Sequence, residues 1–148
     1  MHDAAADMPL PPYRHVPGRN ERPDETFFDG VRASGEAAWL YGIRLFNAGY
    51  YWETHEVLEP VWLDARPNSR ERHLVQAIIH LANGLLKETM GRPNARRRLA
   101  VLARERFAEA FSDGRHCLMG IRAADARTVA DKLADGDLAI TLDLVNEL

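Results

Sequence analysis

The segment spanning about residues 69–90 constrains the fold most, because it is apolar on nearly every side. Its apolar residues are Leu74, Val75, Ala77, Ile78, Ile79, Leu81, Ala82, Leu85 and Leu86. Its polar residues recur at spacings of three and four, at His73, Gln76, His80, Asn83 and Lys87. This spacing places them in one stripe along a helix. A helix that is apolar nearly all round is buried, and buried polar groups need partners. The segment therefore predicts a central helix whose polar stripe faces another part of the protein or a cavity.

Helical periodicity extends over most of the chain. From about residue 24, apolar residues recur at helical spacing, and alternating β-branched residues are nearly absent. The expected helices cover about residues 33–48, 50–64, 69–90, 93–111 and 124–133. Pro60 should kink or break the second of them, because proline has no N–H. Residues 137–148 should pack as a strand-like segment or a short helix. The prediction is an all-α protein, a compact array of about five helices with a Pro-rich N-terminal arm.

The arm covers residues 1–23, and residues 24–148 form a single helical domain in this prediction. Five of the eight prolines of the chain lie in the arm. Because the arm also lacks apolar periodicity, we expect it to be extended or disordered, with Tyr13 and Val16 as its candidate docking residues.

Composition narrows the function classes. The net charge of −3 gives the chain no general attraction to nucleic acid or to an anionic membrane. No apolar run approaches the roughly 20 residues that a membrane span needs, and the N-terminus lacks the basic and apolar regions of a signal peptide. Cys117 is the only cysteine, which rules out an internal disulfide and a cysteine-based zinc cluster. We expect a cytoplasmic protein with no membrane partner.

An arginine-rich segment is the main exception to this acidic balance. Residues 92–106 contain six arginines and one acidic residue, Glu105. Such a helix is more often a solvated or internally paired face than a phosphate-binding one, and acidic residues are frequent nearer the C-terminus. The sequence therefore favours pairing within the chain or between subunits over nucleic-acid binding. Trp39 and the apolar C-terminal segment are candidate elements of a homo-oligomer interface.

A second polar face precedes the central helix. Helical spacing places Trp52, His55, Glu56, Glu59 and Leu63 on one side of the helix predicted at 50–64. One short loop separates this helix from the polar stripe, so the two should pack antiparallel. We expect an internal cluster of His55, Glu56, Glu59, Gln76 and His80, rimmed by Trp52 and Trp62. Glu53 falls outside the cluster and is expected to be an exposed helix charge.

Three functions are compatible with such a cluster. His55, Glu59 and His80 could hold one divalent metal ion, because imidazoles and a carboxylate suit several transition metals. A small-molecule site would instead use Glu56 and Glu59 for hydrolase-like acid–base chemistry. Its binding residues would be Trp52, Trp62, Gln76 and Asn83. In a non-catalytic structural or protein-interaction domain, the cluster would only stabilise the core. Whether the protein is an enzyme stays open, since no nucleophile or glycine-rich phosphate loop is recognisable.

Residues 46–62, FNAGYYWETHEVLEPVW, resemble the signature of the DUF309 family. That signature joins a Phe-Asn pair to a helix with the pattern His-Glu-x-x-Glu-x-x-Trp. The matching positions are Phe46, Asn47, His55, Glu56, Glu59 and Trp62. Gln76 and His80 match a second and weaker element of the family. The resemblance covers about residues 36–110 and implies an all-helical fold with a site at these positions. It implies no activity, because the family has no established function.

Overall fold

Helices make up most of the protein. The computed structural model describes residues 8–32 and 34–146, except for the side chain of Glu25. Within these residues the α-helices are α1 (Asp29–Arg32), α2 (Gly35–Asn47), α3 (Tyr51–Asp64), α4 (Arg70–Thr89), α5 (Pro93–Ala110) and α6 (Ala123–Asp135). A 3-10 turn, Glu25–Phe28, precedes α1. The predicted all-α class is confirmed.

A small antiparallel hairpin joins α5 to α6. Its strands are β1 (Cys117–Leu118) and β2 (Ile121–Arg122), paired so that Cys117 lies opposite Arg122 and Leu118 opposite Ile121. The sequence did not predict it, because strands of two residues are too short to show alternating polarity.

The ends of the helices follow from local side-chain chemistry. Ser34 and Ser69 precede α2 and α4, and each hydroxyl accepts a hydrogen bond from the backbone N–H three residues later. Pro93 begins α5, where its missing N–H costs no helical bond. Gly49 and Gly91 follow α2 and α4 with φ angles of 87° and 78°, a conformation that favours glycine.

Two local expectations differ from the structure. α3 continues through Pro60 to Asp64, so the expected break is wrong, while the alternative of a kink stays a prediction. Val57 and Leu58 are fully buried just before the proline, and this packing outweighs the one hydrogen bond that the proline removes. Residues 136–146 form neither a helix nor a strand, while residues 147–148 lie outside the described part of the chain.

The segment after α6 is nevertheless packed. Ile140 and Leu142 are buried in it. The side-chain amide of Asn47 donates to the carbonyl of Leu142 at 2.7 Å, and the amide oxygen accepts from the N–H of Leu142 at 2.8 Å. The side chain of Asn47 therefore makes the two hydrogen bonds to the backbone of Leu142 that a neighbouring strand could otherwise make.

The core is centred on α4, as the sequence predicted. Its buried residues are Leu74, Val75, Ala77, Ile78, Ile79, Leu81, Ala82, Gly84, Leu85 and Leu86. α4 contacts α3, α5 and α6. At the last of these contacts, a Cβ atom on Gly84 would lie 2.7 Å from Cδ2 of Leu133, so the glycine permits the close approach of α4 and α6. None of the helices in the described residues is both long and apolar enough to cross a membrane.

The N-terminal arm, from residue 8 onward, lies against α2, α3 and the end of α4. Pro11 and His15 are buried in this contact, whereas Tyr13, which we expected to dock, is 39% exposed. The Tyr13 hydroxyl donates to the carbonyl of Glu21 within the arm. Residues 1–7 of the predicted arm lie outside the described residues.

Candidate functional site

Ionisable and amide side chains follow the seam between α3, α4 and the second half of α5. We call these residues the polar strip: His55, Glu56, Glu59, Trp62, Arg72, His73, Gln76, His80, Asn83 and Arg106. The first four lie on α3, the last on α5 and the others on α4.

α3 and α4 pack antiparallel across this seam. The guanidinium group of Arg72 lies over the ring of Trp62, 4.6 Å from the ring centroid. Farther along, His55 lies near enough to His80 to influence its pKa. Residue numbers thus fall along α3 while they rise along α4, and the two polar faces meet as the sequence predicted.

The strip lies at the surface, so the prediction of an internal cluster is wrong. His55 and His80 are half-buried, and Glu59 is exposed. α3 directs Val57 and Leu58 into the core instead. With 3.6 residues per turn, this orientation turns His55 and Glu59 toward solvent.

His55 and Glu59 contact each other along α3. Nε2 of His55 lies 3.3 Å from Oε2 of Glu59, and the two side chains are 36% and 48% exposed. A pair this exposed stabilises a fold by at most about 1 kcal/mol. Among the described residues, neither side chain is hydrogen-bonded to Gln76 or His80, so the pair does not tie α3 to α4.

The α4 and α5 side of the strip is richer in cations. Nη1 of Arg106 lies 3.2 Å from Nδ1 of His73. Because guanidinium can only donate, Nδ1 of His73 is the acceptor. Burial lowers the pKa of His80, and the positive charges of Arg106 and His55 lower it further. Burial and the two neighbouring cations therefore all favour the neutral form of His80.

The two tryptophans differ in their surroundings. Trp62 stays within the strip, where its indole Nε1 is buried and has no hydrogen-bond partner among the described residues. Trp52 contacts the N-terminal arm. The ring of His15 meets it edge-on at 4.7 Å between centroids, and the Arg22 guanidinium lies 5.4 Å from its centroid. Trp52 is thus covered by the arm instead of forming an open rim.

The metal prediction finds no support. No group of three or more His, Cys, Asp or Glu side chains within residues 8–32 and 34–146 is placed to hold a metal ion. Of the predicted ligands His55, Glu59 and His80, only the first two form a direct contact. The side chains of Glu56, Gln76 and Asn83 make no hydrogen bond to any described residue. They are therefore available to a ligand.

Internal pairing explains much of the arginine-rich segment. Nη2 of Arg104 lies 2.7 Å from the carboxylate of Asp131 on α6. Arg96 is buried against Glu88 and the last carbonyls of α6. Sequence reasoning missed Arg106 as a member of the site. The available signal was its position directly before Phe107 on the buried face of α5.

Glu53 contradicts its expected place at the surface. The residue is fully buried, and one carboxylate oxygen accepts a 2.8 Å hydrogen bond from the backbone N–H of His15. Burial raises the pKa of Glu53 in spite of this bond. No pattern around Glu53 predicts this contact, because its partner lies 38 residues away in the arm.

A pocket of about 620 Å³ lies on the other side of α3 from the strip. Trp39, Val57, Pro60, Val61 and Leu144 are among its lining residues. It is bounded by α2, the second half of α3 and the C-terminal segment. Pro60 therefore borders open space, although that space is separate from the polar strip.

Part of the chain matches a known protein family. Residues 39–99 match the family model of DUF309, a domain of unknown function. The predicted resemblance is confirmed. The matched segment includes most of α2, the whole of α3 and α4, and the start of α5. It contains every residue of the polar strip except Arg106. No curated protein matches the chain.

Proposed function

We propose that the polar strip binds a small anionic molecule through a carboxylate or phosphate group, without a metal ion. The observation that carries this proposal is the state of Arg106. Its side chain is half-buried, and its hydrogen-bond partner is the neutral acceptor Nδ1 of His73. Among the described residues, no carboxylate lies within ion-pair distance of Arg106.

A half-buried cation without a counter-ion favours anion binding. Partial burial removes some of the water that would solvate the guanidinium group. A carboxylate or phosphate restores that solvation with charge-assisted hydrogen bonds, which are stronger than neutral ones. The remaining donors of Arg106 supply such bonds.

The neighbouring side chains suit the same ligand. Burial, Arg106 and His55 lower the pKa of His80 in the free protein. Binding of an anion beside His80 would raise that pKa by offsetting the positive charges. A protonated His80 then adds a second charged donor, and Gln76 adds a neutral one. Affinity for the anion should therefore increase as pH falls through the pKa of His80.

Acid–base catalysis on the bound molecule is a second candidate. The 3.3 Å contact between His55 and Glu59 favours it, because an imidazole–carboxylate pair can accept and return a proton. In that case Glu59, with Glu56 beside it on α3, would be the predicted acid–base groups. A Glu59→Gln variant would keep anion binding and lose turnover.

The alternative is a structural role, and the experiment must distinguish it from anion binding. The Arg72–Trp62 stack and the Arg106–His73 bond both connect neighbouring helices. If the strip only holds helices together, Arg106→Gln will lower the free energy of unfolding, and the wild-type protein will bind no anion.

The test is a titration of the full chain with citrate and with inorganic phosphate, followed by NMR and calorimetry. We expect saturable binding that Arg106→Gln weakens by about tenfold or more, since a hydrogen bond to a charged group contributes about 1.5–3 kcal/mol. Arg98→Gln is the matched control, because Arg98 is exposed on the same helix. Absence of saturation, or equal weakening in both variants, would contradict the proposal.

A further inference from the structure

The N-terminal arm occupies a groove between α2 and α3 that binds both its backbone and its side chains, since Met8 and Leu10 pack against the core there. The Tyr41 hydroxyl donates to the carbonyl of Pro9 at 2.6 Å. The Tyr50 hydroxyl donates to the carbonyl of Pro11 at 3.0 Å. The groove therefore recognises the course of the arm's main chain, with two tyrosines spaced to meet alternate residues.

The arm sequence is suited to this mode of binding. Residues 8–13 read MPLPPY. Proline fixes its own φ angle and moves the preceding residue away from helical conformations. Such a segment favours the polyproline II form, which makes no internal hydrogen bonds and leaves its carbonyls open to external donors. Aromatic-lined grooves bind proline-rich segments in this form at a low entropic cost.

A second contact fixes the register of the arm. The backbone N–H of His15 donates to Oε2 of Glu53 at 2.8 Å, while Oε1 is buried without a hydrogen-bond partner among the described residues. The Asn20 side chain braces this part of the arm by donating to the carbonyl of Arg14 at 2.9 Å and accepting from the N–H of Val16 at 3.1 Å. A buried carboxylate thus selects one residue of the arm.

We propose that the arm exchanges between two copies of this chain, so that the arm of one copy fills the α2–α3 groove of the other. The contacts of the arm from Met8 to His15 are non-covalent and would be identical in the exchanged form, which is the general route to domain swapping. The occupant is assigned to a second copy because this arm presents the carbonyls and the N–H that Tyr41, Tyr50 and Glu53 bind.

The hinge lies where the arm joins the helical domain. Pro23 and Asp24 separate the arm from the 3-10 turn that begins at Glu25, and Asp24 is exposed. Attachment in one chain gives the arm a high effective concentration at its own groove, in the millimolar range for short flexible connections. Exchange is therefore expected at high protein concentration, or when the competing arm is impaired.

The test combines two impaired full-length chains. Tyr41→Phe/Tyr50→Phe removes the groove's donors but keeps the arm, and Pro9→Gly/Pro11→Gly impairs the arm but keeps the groove. We expect each variant to sediment as a monomer and an equimolar mixture to form a species of twice the monomer mass. A mixture that stays monomeric up to about 1 mM, near the expected effective concentration, would overturn the proposal.

Two controls define the outcome. Tyr13→Phe changes an exposed tyrosine whose hydroxyl bonds only within the arm, so this chain should form no dimer with the Pro9→Gly/Pro11→Gly variant. Circular dichroism checks that each chain is folded, and Tyr50→Phe alone replaces the double variant if that one is unfolded.

A peptide titration shows whether the groove binds the arm of this chain or a proline-rich segment of another protein. The peptide MPLPPYRHV, residues 8–16, should bind the Pro9→Gly/Pro11→Gly variant and dissociate the mixed dimer. If nonaproline binds this variant more tightly than the arm peptide does, the groove takes a proline-rich segment of another protein, and exchange between copies is refuted.

Discussion

Arg96 should be the arginine of α5 on which stability depends most. Its side chain is 6% exposed, and its Nε lies 3.1 Å from Oε2 of Glu88. Nη1 also donates to the carbonyls of Leu133 and Ala134, at 2.5 Å and 3.0 Å. These carbonyls end α6, where the helix dipole favours a cation. Arg96 therefore joins α4, α5 and α6 at one point.

Replacing Arg96 by methionine keeps most of the apolar stem and removes the charge. The change leaves Glu88 and two carbonyls without their partner, and breaking one side of a buried ion pair costs about 3–5 kcal/mol. Because Glu88 is 26% exposed and can be partly rehydrated, we expect the lower end, a loss of about 3 kcal/mol in the free energy of unfolding.

Urea unfolding followed by circular dichroism measures this loss. With an m-value near 2 kcal/mol per molar, the midpoint should fall by about 1.5 M. Arg98→Met is the matched control, because Arg98 is exposed on the same helix, and its effect should stay within about 0.5 kcal/mol. A loss below about 1 kcal/mol for Arg96→Met, or equal losses in the two variants, would refute the reasoning.

Three further changes test other parts of the fold. Gly84→Ala should destabilise the protein by up to about 2 kcal/mol in urea unfolding, because the new Cβ would lie 2.7 Å from a side-chain carbon of Leu133 and overpacking of about 1–3 kcal/mol is offset in part by the roughly 1 kcal/mol that alanine gains over glycine in a helix; an unchanged midpoint would show that the Leu133 side chain moves aside at no net cost. Burial raises the pKa of Glu53, so the folded protein binds a proton at this carboxyl more tightly than the unfolded chain does. Protonation of Glu53 therefore stabilises the fold fully at acid pH, and this stabilisation is lost as pH rises through the folded pKa. Glu53→Gln should flatten that decline when unfolding is measured from pH 5 to pH 8, and an unchanged slope would exclude Glu53 as its source. His55→Ala should cost less than about 1 kcal/mol, because the side chains of its pair with Glu59 are 36% and 48% exposed; a thermal unfolding experiment showing a loss of several kcal/mol would favour the structural role.

Local patterns predicted much of the fold. The apolar surface of α4 identified the central helix, and its polar stripe identified the seam with α3. Ser69 and Gly91 end that helix through capping chemistry that acts within a few residues, so its predicted bounds of about 69–90 lie close to the observed ones. These features depend on nearby residues, so one sequence contains enough information to predict them.

The orientation of α3 was not predictable in the same way. Its polar and apolar residues are mixed closely enough that two faces compete for the core, and the buried one includes Glu53. The burial of Glu53 depends on the arm and the environment of Arg106 depends on His73, which are contacts between distant parts of the chain. Arg96 and Arg106 look alike in the sequence, although Arg96 binds the carbonyls at the end of α6 and Arg106 lies in the polar strip.

Arg106 has no carboxylate partner among the described residues, and the pKa of His80 reports directly on its positive charge. NMR titration of the imidazole should give a low pKa in the free wild-type protein. The pKa should rise in Arg106→Gln, because a nearby cation is removed, and it should rise in the wild-type protein on saturation with citrate or phosphate. A pKa of His80 that neither Arg106→Gln nor the anions change would contradict anion binding at this site.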